Sequence, residues 1–245
     1  AMKLDENQLK EFHENGFLVL KNFADSQTCD EILQKAKIHL ENKIAPIETE
    51  QEYMQNDIDK ITVRRLRQVY NREEIFQKWM TNEKIRPILK QILNDSPVLT
   101  LAHHNSIMTK LPFESTRTFW HQDRRYWNFE NNDLVSVWLS LGDEYLDNGL
   151  LEFIPKSHKI TFEKEQFDEV DNFLDSHPKN IELIKTKVHS NLQKGDVVLF
   201  HCKTLHHASK NNTDKAKISF VYTVRANSNK PTSNTRSDFK EVILD

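Results

Sequence analysis

The chain has 245 residues, 37% of them hydrophobic and 29% charged, enough for one globular domain with a sizeable core. Its net charge of −3 gives no bulk attraction to nucleic acid or to an acidic membrane surface. The apolar runs, such as Phe17 to Leu20 and Val197 to Phe200, are too short to span a bilayer, and the opening residues carry no apolar signal region, so neither a membrane partner nor a leader is expected.

The stretch of about residues 4–95 reads mainly as helix. Asp5 with Gln8 forms a capping-box start, with Leu9 and Phe12 on the apolar side, and Gly16 ends that helix. Phe17-Leu18-Val19-Leu20 reads as a short strand. A second helix is predicted from Ser26 to Asn42, keeping Cys29, Ile32, Leu33, Ala36 and Leu40 on one face. A third covers Asn82 to Asn94 and starts in earnest at Pro87, where a missing N–H costs least.

After Pro97 the texture changes to strands: Val98–Thr109, Thr118–Asp123, Leu134–Leu141, Leu150–Ile154, Val197–His201 and Ile218–Arg225. Residues 161–187 are charged and read as a helix or a surface excursion. Residues 227–245 form a polar tail. Helices first and strands later predict one α+β domain, mainly β, in which a sheet sandwich of about residues 97–226 is backed by N-terminal helices. Cys29 and Cys202 lack metal-type spacing, so reduced thiols in a cytoplasmic protein are expected.

The chemistry concentrates in Phe119-Trp120-His121-Gln122-Asp123. On a strand, His121 and Asp123 point to one face because the side-chain period is two, so an imidazole and a carboxylate can flank one metal. A third ligand should come from another strand. The turn and buried strand of Gly195 to Phe200 lead into His201, His206 and His207, any of which could return to that face. Two histidines and a carboxylate leave open positions that suit Fe(II) with a chelating cosubstrate and O2. Zinc is the chemical competitor.

Four segments then resemble, in order, the phytanoyl-CoA dioxygenase family of Fe(II)/2-oxoglutarate oxygenases: Leu4 to Leu20; Trp120-His121-Gln122-Asp123 with Tyr126; Asn148-Gly149 through Pro155-Lys156-Ser157-His158; and Leu205-His206-His207 through Asn211-Asn212-Thr213. The resemblance covers about residues 4–226. It implies a double-stranded β-helix (jelly roll) with iron at one mouth, held by His121, Asp123 and a distal histidine. For the distal ligand the spacing favours His206 over His207: counted from His206, Asn211, Thr213 and Lys217 fall where the family has Asn, Ser/Thr and a cation, whereas counted from His207 only Ser209 falls where the family often has serine.

The family usually supplies an arginine for the far carboxylate of 2-oxoglutarate, and this chain departs by having Lys217, a point charge without the bidentate fork. Arg225 is the rival on the same strand face. Thr118 and Ser209 are candidate hydroxyl donors to that carboxylate, and Trp138 a candidate pocket wall or core tryptophan. The implied reaction is hydroxylation of an unactivated C–H bond of a small-molecule substrate, with succinate and CO2 released. Asp123 fills the coordination position that chloride would need, which favours hydroxylation over halogenation.

Arg124 and Arg125, and the Arg64, Arg65, Arg67 run, either attract an anionic substrate at the mouth or are solvated charges. His103 and His104 lie on an upstream strand that could line the cavity, although satisfied core or edge histidines are the favoured reading, and His158 reads as a turn residue. A zinc-dependent hydrolase or cupin-like isomerase, and a non-catalytic jelly-roll binding protein, compete with the oxygenase reading. The oligomeric state stays open.

Overall fold

The computed structural model describes residues 2–55 and 61–245. Asp5 caps α1 (Glu6–Asn15): its carboxylate accepts from the Gln8 amide, and the Gln8 side chain accepts from the Asp5 amide. Gly16, at φ 84°, turns the chain into β1 (Phe17–Leu20), and α2 (Ser26–Glu41) follows under an Asp25 cap. Here the chain departs from the helical expectation. Residues 47–67 contain β2 (Ile47–Thr49), the short α3 (Glu50–Met54) and β3 (Val63–Arg67). Three of the five β3 residues are arginines, so no apolar alternation marks the strand. Two further helices, α4 (Glu74–Met80) and α5 (Arg86–Leu93), complete this part, with Pro87 in the first turn of α5.

The remaining strands are β4 (Pro97–Lys110), β5 (Thr118–His121), β6 (Leu134–Ser140), β7 (Leu151–Phe153), β8 (Val197–His201), β9 (His206–Ala208), β10 (Lys217–Ala226) and β11 (Glu241–Ile243). One short helix, α6 (Pro178–Ile184), lies in the excursion between β7 and β8. The large antiparallel sheet runs β1-β8-β6-β10-β4-β3-β2, with β11 added against β4. A small sheet, β5-β9-β7, faces it, and the two form the halves of a double-stranded β-helix.

Period-two alternation sorts the large sheet. Val135, Val137 and Leu139 of β6, with Phe220, Tyr222 and Val224 of β10, join the helices in the main core. The opposite face sends Trp138, Val198, Phe200 and Val221 toward the small sheet. Strands buried on both faces are what this layering requires. No helix among the described residues is long and apolar enough to cross a membrane. Both cysteines are buried and free; burial pushes Cys29 up to about 11 and Cys202 higher still, so neither is a ready nucleophile.

Two irregularities position the site. The first is a wide bulge in β4. Asn105 pairs with Tyr222 and Thr100 with Thr223, so Leu101 to His104 leave the ladder with β10. The second is the polar tail, which folds back rather than trailing away: β11 pairs with Val98 to Thr100, and Leu244 enters the main core.

Gly16 also ties α1 to the strands, because its carbonyl accepts from the His201 amide and the Thr204 hydroxyl. A Cβ at Gly16 would meet Thr204 Oγ1 at 2.5 Å and His158 Nδ1 at 2.6 Å, on a left-handed backbone. Gly16→Ala is therefore expected to destabilise the fold by about 1–3 kcal/mol in denaturant titrations; a neutral effect would show that this corner yields freely.

Candidate metal centre and cavity

His121 closes β5 and stands in register with His206 of β9. The strand stops there. Gln122 is still extended (φ −105°, ψ 135°), but Asp123 to Tyr126 form a 3-10 turn. One extended residue between them suffices to bring His121 and Asp123 to one side, as strand periodicity predicts, although Asp123 itself is no longer in the strand.

His121 Nε2 lies 3.0 Å from Asp123 Oδ1, and His206 Nε2 lies 3.3 Å from the same oxygen. One donor atom from each residue falls within 4.8 Å of the others, the spread of a set that could hold one metal ion. Both rings are fixed from behind: Nδ1 of His121 sits 2.8 Å from the Phe119 carbonyl and Nδ1 of His206 sits 2.9 Å from that of Thr204. Such bonds select the tautomer that leaves Nε2 free for a metal. His207 points the other way. It stacks on Trp120 at 4.0 Å and its Nε2 is 2.9 Å from Glu152 Oε1. His201 is occupied with Asp133, at 3.6 Å.

The electrostatics match a cation site. Burial, aided by His206, pushes His121 down to about 4, so this imidazole is neutral at pH 7. Burial alone would raise the Asp123 carboxyl, but His206 and His104 outweigh it and hold it well below the ordinary carboxylate range. Burial opposes a charged His206, yet Asp123 beside it prevails and raises that ring. Asp123 Oδ2 is buried without a well-directed hydrogen bond among the described residues, although His104 Nε2 approaches to 3.0 Å. A carboxylate oxygen left short of donors, beside two fixed imidazoles, is a setting that fits a divalent metal.

The three residues lie on the wall of a cavity of about 570 Å³. Trp138 is on that wall too, its Nε1 donating to Glu144 at 3.2 Å, and so is the buried Lys217, with Nζ 3.7 Å from Glu144 Oε1 and 5.3 Å from the Trp138 ring centre. Thr118 lines the cavity and accepts from Arg64 at 2.9 Å. Arg125 reaches the mouth, held by Asn172 at 2.7 Å.

Three sequence expectations are corrected. Ser209 is exposed and outside the lining, because β9 ends at Ala208. Arg124 is exposed and outside the cavity lining, whereas its neighbour Arg125 reaches it. Arg225 does not reach the cavity: Glu241 holds its guanidinium at 2.6 and 2.8 Å, and the carbonyls of Ala226, Asn227 and Asn229 take the rest.

Other cavity residues were not singled out from sequence, or were read as bland. Arg64 is buried against Glu50 at 2.9 Å, not solvated. The β4 bulge turns both His103 and His104 onto the cavity wall, although neighbours on a regular strand would diverge. Lys110, at the end of β4, is buried in the lining. The tail contributes Arg236 and Phe239 at the mouth.

A double-stranded β-helix with two imidazoles and a carboxylate gathered at one mouth defines the class: a jelly-roll protein with a facial donor triad. The family model of phytanoyl-CoA dioxygenase (PhyH) matches residues 12–219, and the chain belongs to that family. Mouse peroxisomal phytanoyl-CoA dioxygenase is 26% identical over 224 residues, 84% of this chain; the chain spans 64% of that relative's length. A probable alpha-ketoglutarate-dependent hypophosphite dioxygenase of Stutzerimonas stutzeri is 24% identical over 84% of this chain and 73% of its own. Among solved structures, EctD from S. alaskensis with bound Fe has a TM-score of 0.76 at 18% identity, covering 98% of this chain and 83% of that one. Likeness at that identity concerns the fold.

Proposed function

We propose that the protein is an Fe(II)- and 2-oxoglutarate-dependent dioxygenase that hydroxylates an unactivated C–H bond of a small anionic metabolite. The convergence of His121, Asp123 and His206 on one point of the cavity wall carries this reading. Family membership and a relative named for alpha-ketoglutarate dependence support it.

In this reading His121, Asp123 and His206 hold the iron, which supplies the oxidative decarboxylation of 2-oxoglutarate and the activation of O2. The chain does the rest. Lys217 offers an ammonium to the far carboxylate of the cosubstrate, with Thr118 as a hydroxyl nearby and Trp138 as a wall. Phe200, Leu151 and Met108 give apolar lining that limits water. At the mouth, Arg67 and Arg236 have no carboxylate partner among the described residues, and with Arg125 they attract an anion. A carboxylate ligand from Asp123 would leave no room for chloride on the metal, which favours hydroxylation over halogenation.

Anaerobic addition of 2-oxoglutarate to the Fe(II)-loaded chain is expected to raise a visible charge-transfer band, and admission of air to form succinate. A chain that binds Fe(II) yet develops neither band nor succinate is not this enzyme.

A further inference from the structure

Lys110 and Lys217 are direct cross-strand partners on β4 and β10. Side chains so paired share one face of the sheet, with Cβ atoms roughly 5 Å apart. Both are buried, at 6% and 4% exposure, and both line the cavity. Like charges opposite each other destabilise a sheet, and a buried ammonium destabilises it more unless an anion sits beside it.

Lys217 has that compensation in Glu144. Lys110 does not. Its Nζ donates to the Thr116 carbonyl at 2.8 Å, and no carboxylate lies within ion-pair distance of it among the described residues. Glu50, which faces it from α3, is bound to Arg64 and to the Thr116 amide. Burial, with Lys217 and Arg64 nearby, pushes the Lys110 ammonium down to about 6 against the opposing pull of Glu50. The surroundings also make room for this side chain. A Cβ at Gly149 would overlap Lys110 Cδ and stand 3.1 Å from Cε, so the glycine lets the stem lie along the wall.

Resting on the oxygenase reading, we infer that Lys110 and Lys217 together clamp the far carboxylate of the 2-oxo acid cosubstrate, two point charges serving in place of one arginine fork. The register places the clamp correctly. Lys110 is fixed beside Thr116 and Gly149, and Gly149 packs on the Ser209 carbonyl. Thr118, which lines the same cavity, stands three residues before His121 along an irregular stretch of β5, at most roughly 10 Å of chain. That is the reach of a five-carbon diacid chelated at its keto-acid end. The mouth arginines stay free for the substrate.

The test compares 2-oxoglutarate with 2-oxopentanoate, equal in length but lacking the far carboxylate, on the Mn(II)-loaded chain. The wild type is expected to prefer the diacid. Lys110→Met should reduce that preference roughly 10- to 100-fold, the range for hydrogen bonds to charged groups. It should leave 2-oxopentanoate and Mn(II) affinity unchanged, and Lys110→Arg should restore part of the preference. The metal-free Lys110→Met chain should melt no lower than wild type, because a buried amine with no carboxylate beside it among the described residues has been removed; Lys110→Gln serves as the second variant. Undiminished preference in both variants overturns the clamp while the oxygenase reading stands. If the wild type with metal binds neither acid, the oxygenase reading fails and the clamp with it.

Discussion

His206→Ala is expected to abolish 2-oxoglutarate turnover and to weaken metal binding more than about 100-fold, while His207→Ala leaves both within a few-fold of wild type. The first change removes a donor atom; loss of an outer-shell partner alone typically costs 10- to 100-fold. His206 Nε2 stands 3.3 Å from Asp123 Oδ1, and its ring is fixed by the Thr204 carbonyl. His207 belongs to the other face of the small sheet, between Trp120 and Glu152, so its removal is felt as about 1 kcal/mol of stability rather than as lost chemistry. Metal titration followed by tryptophan fluorescence, with succinate assays alongside, reads both variants. A His207→Ala chain that loses the metal would transfer the distal role to that residue.

Arg64→Met should lower stability by about 3–5 kcal/mol, a fall in melting temperature on the order of 10 °C for a chain this size. Arg64 is 4% exposed, and its guanidinium bonds Glu50 at 2.9 Å and Thr118 at 2.9 Å, meets Glu48 at 3.4 Å, and lies 3.5 Å over the Tyr53 ring. Without it, Glu50 is a buried carboxylate facing no guanidinium. The cost comes from that abandoned charge more than from the lost attraction, so Arg64→Met combined with Glu50→Leu should recover much of the loss. Calorimetry of the two single variants and the pair forms the cycle. A single variant that melts within 2 °C of wild type, a margin of about 1 kcal/mol or less, would mean that water already screens the pair.

The parts of the molecule that can be read from sequence are those whose signals are local. Asp5 with Gln8, and Gly16 at the helix end, are specified within a few residues, and the structure has them as read. The His121 and Asp123 pairing needs only one extended residue between them. The distal histidine could be narrowed by spacing, but its direction depends on the register of β9 with β5, which no short pattern contains. β9 itself is three residues long, too short to show alternation. β3 hides behind its arginines, because charge normally marks solvent and here marks a polar cavity. Lys110 is the clearest case. Nothing beside it in the chain distinguishes it from any lysine closing a strand, and its meaning arises only when β10 lays Lys217 opposite it.

The folded-back tail has a bearing on how such a protein changes its diet. The donor atoms sit on β5 and β9 and the turn that follows β5, whereas Arg236 and Phe239 at the mouth come from the stretch that leads into β11, tethered by Ser237 to His103 at 2.7 Å and by Glu241 to Arg225. The donor triad and the rim of the mouth thus lie on separate lengths of chain. If the proposed oxygenase reading holds, replacing a few side chains between residues 227 and 240 would reshape what is admitted while all three donor residues stay in place, so a lineage could explore new molecules with the same triad.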